Sequence, residues 1–131
     1  MKKTGILNKD VSEVVASMGH YQSLVVCDAG FPIPDGVRRI DLALEEGLPR
    51  FLDVLRVVLK ELQVEQIVIA RETIECSPSR YREITDMFPG LTPKIVSHSD
   101  FKEMSKNAKA CIRSGECTPY SNIILVSGVT Y

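Results

Sequence analysis

Two histidines and one aspartate are the residues of this chain best suited to acid–base chemistry. Asp28 directly follows the apolar run Leu24–Cys27, and His98 follows the short run Lys94–Val96. Ligands of open α/β sheets bind beyond the carboxyl ends of the strands, so both residues are candidates for a pocket there. His20 follows a short predicted helix, where the helix dipole favours the protonated form that an acid needs. Imidazole and carboxylate groups can exchange protons near neutral pH.

Each of these residues also has a purely structural interpretation. Asp28 could cap the backbone of the loop that follows it, and His20 could be a solvated histidine at a helix end. His98 could make structural hydrogen bonds within its Ser-His-Ser segment. Glu72, which follows the apolar run at residues 67–70, is a further polar residue at a strand end. The residue types alone leave these alternatives open.

A polar loop near the end of the chain is a third candidate for ligand binding. Residues 113–122 place Arg, Glu, Thr, Tyr, Ser and Asn side chains around one glycine and one proline, between two apolar runs. Phenol, amide and backbone groups of this kind can orient a polyhydroxylated ligand. A structural loop explains the glycine and the proline equally well, but it explains the density of hydrogen-bonding side chains less well.

Other kinds of site lack the motifs they require. Neither a Cys-x-x-Cys pair nor a His-x-x-x-His or Glu-x-x-His spacing occurs, so support for a metal site is weak. The motifs of a dinucleotide site, a phosphate-binding loop and an α/β-hydrolase are absent as well. A thiol-dependent enzyme built on Cys27 or Cys117 is an alternative, although buried cysteines in a reduced protein are the simpler interpretation.

The spacing of apolar residues predicts strands and helices in alternation. Strands are expected at residues 24–27, 37–43, 66–70, 94–96, 108–112 and 122–126, and helices at residues 10–18, 51–62, 78–88 and from residue 100. Asp10 with Glu13, and Asp100 with Glu103, have the spacing of capping boxes. Uninterrupted apolar strands indicate a sheet covered on both faces. These patterns predict one α/β domain over residues 1–131, a three-layer Rossmann-like sandwich with a largely parallel sheet.

Composition excludes several classes of protein. The chain has 131 residues, 16 Lys and Arg against 17 Asp and Glu, and 44% hydrophobic residues. The charge balance disfavours nucleic-acid binding, and the hydrophobic content excludes intrinsic disorder. No apolar run approaches the roughly 18 residues of a membrane helix, and polar residues interrupt the start where a signal peptide would be apolar. We therefore expect a cytoplasmic protein without nucleic-acid or membrane partners.

Five sequence blocks spread over the whole chain resemble those of a known family. They are residues 5–8, 19–20, 25–34, 39–41 and 112–125. The most specific parts are Cys27-Asp28-Ala29-Gly30 and Arg113-Ser114-Gly115-Glu116-Cys117. On these blocks the sequence resembles the family of ribose pyranases and fucose mutarotases, and it is more similar to the ribose branch.

The resemblance implies an enzyme that interconverts the pyranose and furanose forms of free D-ribose without a cofactor or metal. It implies an acid at His20 and sugar contacts at the other polar positions, which are Asp28, His98, Tyr120, Ser121 and Asn122. Asp28 and His98 are both candidates for taking the anomeric proton. It further implies a homo-oligomer, a decamer of two stacked pentameric rings with sites at subunit boundaries. The alternative is a non-catalytic sugar-binding or regulatory subunit linked to ribose uptake.

Overall fold

The structure, a computed structural model, describes all 131 residues, Met1–Tyr131. The strands are β1 (Ser23–Cys27), β2 (Arg38–Asp41), β3 (Val64–Ala70), β4 (Lys94–Val96), β5 (Ala110–Arg113) and β6 (Ile123–Ser127). The helices are α1 (Lys9–Ser17), α2 (Phe51–Leu59), α3 (Arg71–Cys76), α4 (Pro78–Asp86) and α5 (His98–Ser105). No helix is long and apolar enough to span a membrane.

The six strands form one mixed sheet in the order β2-β5-β1-β6-β3-β4. The pairs β2 with β5, β1 with β5, and β3 with β4 are parallel. β6 pairs antiparallel with both β1 and β3. The prediction of a largely parallel sheet is therefore not confirmed, because β6 is antiparallel to both of its neighbours. A central strand that is buried on both faces has the same apolar pattern whichever way it runs, so the pattern could not reveal the direction of β6.

Alternate residues of the strands contribute to two apolar cores, one on each face of the sheet. The larger core holds 20 buried residues and packs α1, α2 and α4 against Leu24 and Val26 of β1. The smaller core holds eight buried residues, with Phe101 of α5 and Phe31 packed near Val25 and Cys27. Helices thus cover both faces, as uninterrupted apolar strands require.

Two helices begin earlier than the capping-box pattern predicts. Asn8 caps α1 by accepting the N–H of Val11 at 3.0 Å, so Asp10 lies inside the helix. Ser97 caps α5 by accepting the N–H of Asp100 at 3.0 Å. Asn and Ser are both strong capping residues, and each lies one turn before the first apolar residue that its helix buries. His98 is consequently the first residue of α5 rather than a loop residue.

Candidate active site

A pocket of about 260 Å³ lies at the edge of the sheet where β1 and β4 end and β6 begins. Because β6 is antiparallel to β1, its first residues lie at the same edge as the last residues of β1. Asn122, immediately before β6, therefore lies beside Asp28, immediately after β1. The residues that line the pocket are Asp28, Gly30, Phe31, Pro32, His98, Pro119, Tyr120 and Asn122.

Asp28 and Asn122 form a reciprocal hydrogen-bonded pair in the pocket. The backbone N–H of Asp28 donates to Asn122 Oδ1 at 2.9 Å, and Asn122 Nδ2 donates to Asp28 Oδ2 at 3.1 Å. The N–H of Gly30 donates to Asp28 Oδ1 at 3.1 Å. Burial raises the pKa of Asp28, while these donors and the backbone N–H of Ser121 oppose part of that rise. Asp28 is thus held in place by hydrogen-bond donors alone.

His98 lies in a largely aromatic environment at the start of α5. Its ring is nearly parallel to that of Phe101, with centroids 6.3 Å apart, and nearly perpendicular to the rings of Phe31 and Tyr120, with centroids 6.1 and 5.1 Å away. These contacts are of the size and orientation that stabilise aromatic pairs. Three aromatic rings therefore pack around the imidazole, and one of them is the Tyr120 phenol.

The backbone and electrostatic surroundings of His98 are set by neighbouring elements. The backbone N–H of His98 has no partner within α5, because it lies in the first turn of the helix, and it donates instead to Glu72 Oε2 of α3 at 2.8 Å. Burial and then the charge of Lys102 lower the pKa of His98, while Glu72 and Asp28 act in the opposite direction. The sequence placed Glu72 at a strand end but did not indicate that it would contact His98, because α3 was not expected.

The short segment that carries Tyr120 is held by hydroxyl groups of α3 and the residue that follows it. Thr73 Oγ1 donates to the carbonyl of Tyr120, and Ser77 Oγ donates to the carbonyl of Pro119, both at 2.8 Å. Tyr120 has a left-handed backbone conformation, with φ of 58°. The hydroxyl of Ser121 is buried and has no hydrogen-bond partner. Tyr120 and Asn122 therefore line the pocket, whereas Ser121 does not, although its backbone N–H opposes the rise in the pKa of Asp28.

The side chain of Glu116 holds the same loop in place through hydrogen bonds and an ion pair. Its Oε2 accepts the N–H of Phe51 and its Oε1 accepts the N–H of Thr118, each at 3.2 Å, and Arg80 Nη2 lies 3.3 Å from Oε1. Although burial would raise the pKa of Glu116, the hydrogen bonds from Thr118 and Phe51 and the charge of Arg80 lower it. The backbone carbonyl of Glu116 also accepts the N–H of Ala29 at 2.8 Å. The buried carboxylate of Glu116 thus links α2 and α4 to the loop, and its backbone carbonyl links the loop to the turn that carries Asp28.

His20 lies at the opposite edge of the sheet from the pocket. It precedes β1, whereas Asp28 follows β1, and the five residues of the strand span about 16 Å at roughly 3.3 Å per residue. His20 Nε2 lies 2.9 Å from Glu65 Oε2, and its ring stacks on that of Tyr21 with centroids 3.7 Å apart. The structure therefore brings together Asp28, His98, Tyr120 and Asn122 but does not bring His20 to them within one chain.

Comparisons with known proteins give a matching family and several proteins of similar sequence or structure. Residues 1–130 match the family described as the RbsD / FucU transport protein family. The D-ribose pyranase of Symbiobacterium thermophilum is 54% identical over 131 residues, which is 100% of both chains. The structure of Bacillus subtilis RbsD complexed with D-ribose matches with a TM-score of 0.97 at 42% identity, over 100% of both chains. The fucose mutarotase from Streptococcus pneumoniae, in complex with L-fucose, matches over 95% of both chains with a TM-score of 0.72 at 23% identity, which shows a common fold alone.

Proposed function

Because this chain belongs to the RbsD / FucU transport protein family, we propose that it interconverts the pyranose and furanose forms of free D-ribose. The observation that carries the proposal is the pocket in which Asp28, His98, Tyr120 and Asn122 converge. The full-length likeness to a relative complexed with D-ribose supports this choice of sugar. We further propose that the enzyme is cytoplasmic, needs no cofactor or metal, and binds neither nucleic acid nor membranes. Helices on both faces of the sheet support classification as a three-layer Rossmann-like sandwich.

The proposed reaction needs one group that accepts a proton and one that donates a proton. When the anomeric hydroxyl loses its proton, the O–H electron pair forms the aldehyde C=O, and the bond from the anomeric carbon to the ring oxygen breaks. The ring oxygen keeps that electron pair and takes a proton from the acid. Reclosure through a different hydroxyl gives the other ring size: that hydroxyl gives its proton to the deprotonated acid, and the base returns its proton to the former carbonyl oxygen. General acid–base help of this kind accelerates reactions by about 10²–10⁴-fold.

We assign the acid to His20 and propose that a second copy of the chain supplies it. Within one chain His20 and Asp28 are separated by the length of β1, which is too far for both to contact one ribose. A site at a subunit boundary removes this difficulty, and it agrees with a homo-oligomer, the decamer of two pentameric rings that the resemblance implies. The carboxylate of Glu65 and the ring of Tyr21 support the imidazole of His20 and leave it half-exposed, available to a neighbouring subunit.

The remaining pocket residues bind the sugar in this proposal. The ionised Asp28 accepts hydrogen bonds from ribose hydroxyls, and Asn122 both orients Asp28 and offers its remaining amide N–H. Tyr120 offers its hydroxyl, and its ring lies beside the imidazole of His98. Ser121 contributes through its backbone N–H to Asp28.

Saturation-transfer NMR of ribose tests the activity directly. Catalytic amounts of the intact protein should speed exchange between the pyranose and furanose signals, and His20→Ala should reduce that acceleration by about 10²-fold or more. Unchanged exchange with His20→Ala would remove His20 from the mechanism. If the intact protein binds ribose in a titration without speeding exchange, the non-catalytic sugar-binding subunit is correct instead. A panel of aldoses in the same assay gives the sugar preference.

Mixed oligomers test whether the acid comes from a second copy. His20→Ala chains lack the acid and Asp28→Asn chains bind ribose weakly, so each is expected to show little exchange activity at ribose concentrations below the KM of the intact protein. When the two are co-expressed at equal levels, about a quarter of the interfaces should combine an intact His20 edge with an intact Asp28 pocket and recover activity. The matched control is a chain that carries both substitutions, because an oligomer made only of this double variant contains no intact site. If the mixture stays as inactive as its two components, the shared site is wrong.

A further inference from the structure

The imidazole of His98 has two nitrogens that make no hydrogen bond within the chain. Nδ1 is buried without a partner, although the ring lines the pocket. Leaving a buried polar atom unpaired costs free energy, and such atoms in native proteins often mark a catalytic or ligand-binding role. Three aromatic rings pack around the imidazole, so the ring is held by apolar contact while both nitrogens stay free.

Asp28, the other candidate for taking the anomeric proton, differs from His98 because both of its carboxylate oxygens already have hydrogen-bond partners. Its carboxylate oxygens accept hydrogen bonds from Gly30 and Asn122, and the backbone N–H of Ser121 also favours the ionised form of Asp28 by opposing the rise in its pKa. All of these partners are donors, so they stabilise the ionised carboxylate. If Asp28 took up a proton, its new O–H would compete with these donors and at least one hydrogen bond would be weakened. Protonation of His98 disrupts no existing hydrogen bond.

From this geometry we propose that His98 is the base that takes the anomeric proton and that Glu72 is its positioning residue, an inference that rests on the mutarotase function proposed above. A lone pair of the imidazole binds the anomeric proton, and the O–H electrons become the second bond of the aldehyde. On reclosure the attacking hydroxyl gives its proton to the deprotonated acid, and His98 returns its proton to the former carbonyl oxygen. The base and the acid end each turnover as they began.

The charged groups around His98 keep it in the form that a base requires. Lys102 faces it from α5, Glu72 from α3 and Asp28 from the loop after β1, and the ring of the Tyr120 phenol lies nearly perpendicular to it. Burial and Lys102 together outweigh the two carboxylates, so the pKa of His98 lies below its ordinary value of 6.5. The imidazole is therefore neutral at neutral pH, and its protonation at lower pH removes the base. We expect this step to produce the acidic limb of the pH profile of kcat/KM.

The first test compares substitutions of the two candidate bases. His98→Gln keeps a polar side chain for sugar contacts but has no basic nitrogen. We expect its kcat in the exchange assay to fall by about 10²-fold or more, and its acidic limb to disappear, while ribose affinity changes far less. Asp28→Asn should mainly weaken ribose binding and should retain the acidic limb. Circular dichroism of each variant establishes that it is folded.

The second test uses neighbours of His98 that have opposite electrostatic effects. Glu72→Gln retains an oxygen that can accept the His98 N–H but removes a charge that raises the pKa of His98, so the acidic limb should move to lower pH. Lys102→Met removes a charge that lowers this pKa, so the limb should move to higher pH. A merely structural contribution of either residue would not shift the limb in these opposite directions. This pair also tests the proposal if His98→Gln fails to fold.

The possible failures of the inference are distinct from those of the proposed function. An intact protein that does not speed exchange refutes the mutarotase function, and the inference with it. If the intact protein is active but His98→Gln keeps the wild-type rate and acidic limb, only the role of His98 is wrong. Loss of the limb in Asp28→Asn with its retention in His98→Gln would identify Asp28 as the base.

Discussion

The ion pair between Glu116 and Arg80 allows a quantitative prediction of how much the free energy of unfolding depends on the loop beside the pocket. Glu116→Ala removes the acceptor of two backbone N–H groups and the carboxylate nearest to Arg80. The side chains of Arg80 and Glu116 are only 11% and 10% exposed, so neither charge can be solvated freely after the change. Arg80 Nε and Nη1 already lack hydrogen-bond partners. The substitution should therefore destabilise the protein far more than the loss of a surface charge.

The size of the effect follows from the burial of the pair. Removing one partner of a buried ion pair costs about 3–5 kcal/mol. The carboxylate of Glu83, 3.9 Å from Arg80 Nε, compensates in part, so we expect about 3 kcal/mol. A domain stability of about 5–15 kcal/mol makes this a large fraction of the total. With an m-value of about 2 kcal/mol/M, the urea midpoint should fall by about 1.5 M.

Urea denaturation followed by circular dichroism measures this loss. All samples are compared at one protein concentration, because assembly of subunits would make the apparent stability depend on concentration. Glu103→Ala is the matched control, because Glu103 pairs with Lys106 at 2.8 Å but the two side chains are 68% and 57% exposed. An exposed pair of this kind contributes at most about 1 kcal/mol. Ribose affinity should fall in Glu116→Ala and stay constant in Glu103→Ala.

Two results would refute this reasoning about Glu116. The first is a free energy of unfolding for Glu116→Ala that falls no further than that of Glu103→Ala. The second concerns the double variant Arg80→Met with Glu116→Leu, which replaces both charges by apolar side chains. Such replacements of buried pairs are often neutral or stabilising. If the double variant is less stable than Glu116→Ala, an uncompensated Arg80 charge is not the source of the loss.

Two further predictions concern the same loop. The Cβ of Gly115→Ala would overlap the backbone carbonyls of Glu45 and Leu48, so thermal unfolding should occur at a lower temperature and ribose affinity should fall. Gly19→Ala is the control, because a Cβ at Gly19 meets only ordinary contacts. Equal melting temperatures of the two variants would contradict the prediction. Cys117→Ser should leave the ribose exchange rate unchanged because the exposed thiol lies outside the pocket lining, and a complete loss with folding intact would revive the thiol-dependent alternative.

The apolar runs predict β3, β4 and α2 close to their observed bounds. β3 was expected at residues 66–70 and extends over Val64–Ala70, and β4 has the predicted bounds. α2 ends at Leu59 rather than near residue 62, but Leu62 is still buried against the same core. Apolar spacing therefore predicts which side chains are buried better than where the hydrogen-bonded helix ends. α3, with one buried residue in six, has no apolar periodicity by which it could be found.

The pocket depends on features that single residue types do not encode. Asn122 could be recognised as a polar residue beside a strand, but its pairing with Asp28 follows from the antiparallel direction of β6. The hydrogen bond from His98 to Glu72 depends on α3, which places Glu72 in its first turn. Both contacts join segments far apart in sequence. Composition and periodicity describe local structure, so they could indicate the candidate residues but not these partners.

The separation of His20 from Asp28 follows from the order of elements along the chain. A residue that precedes a strand and a residue that follows it lie at opposite edges of the sheet, whatever else the fold does. His20 and Asp28 flank β1 in this way, so their distance within one chain is set by the five residues of that strand. If both act on one ribose, two chains must meet with the His20 edge of one against the Asp28 edge of the other. Because each copy carries both edges, the same contact can repeat from subunit to subunit, and a ring closes when the rotation between neighbours allows it. The position of one histidine before a strand thus links the proposed chemistry of this protein to the proposed homo-oligomer.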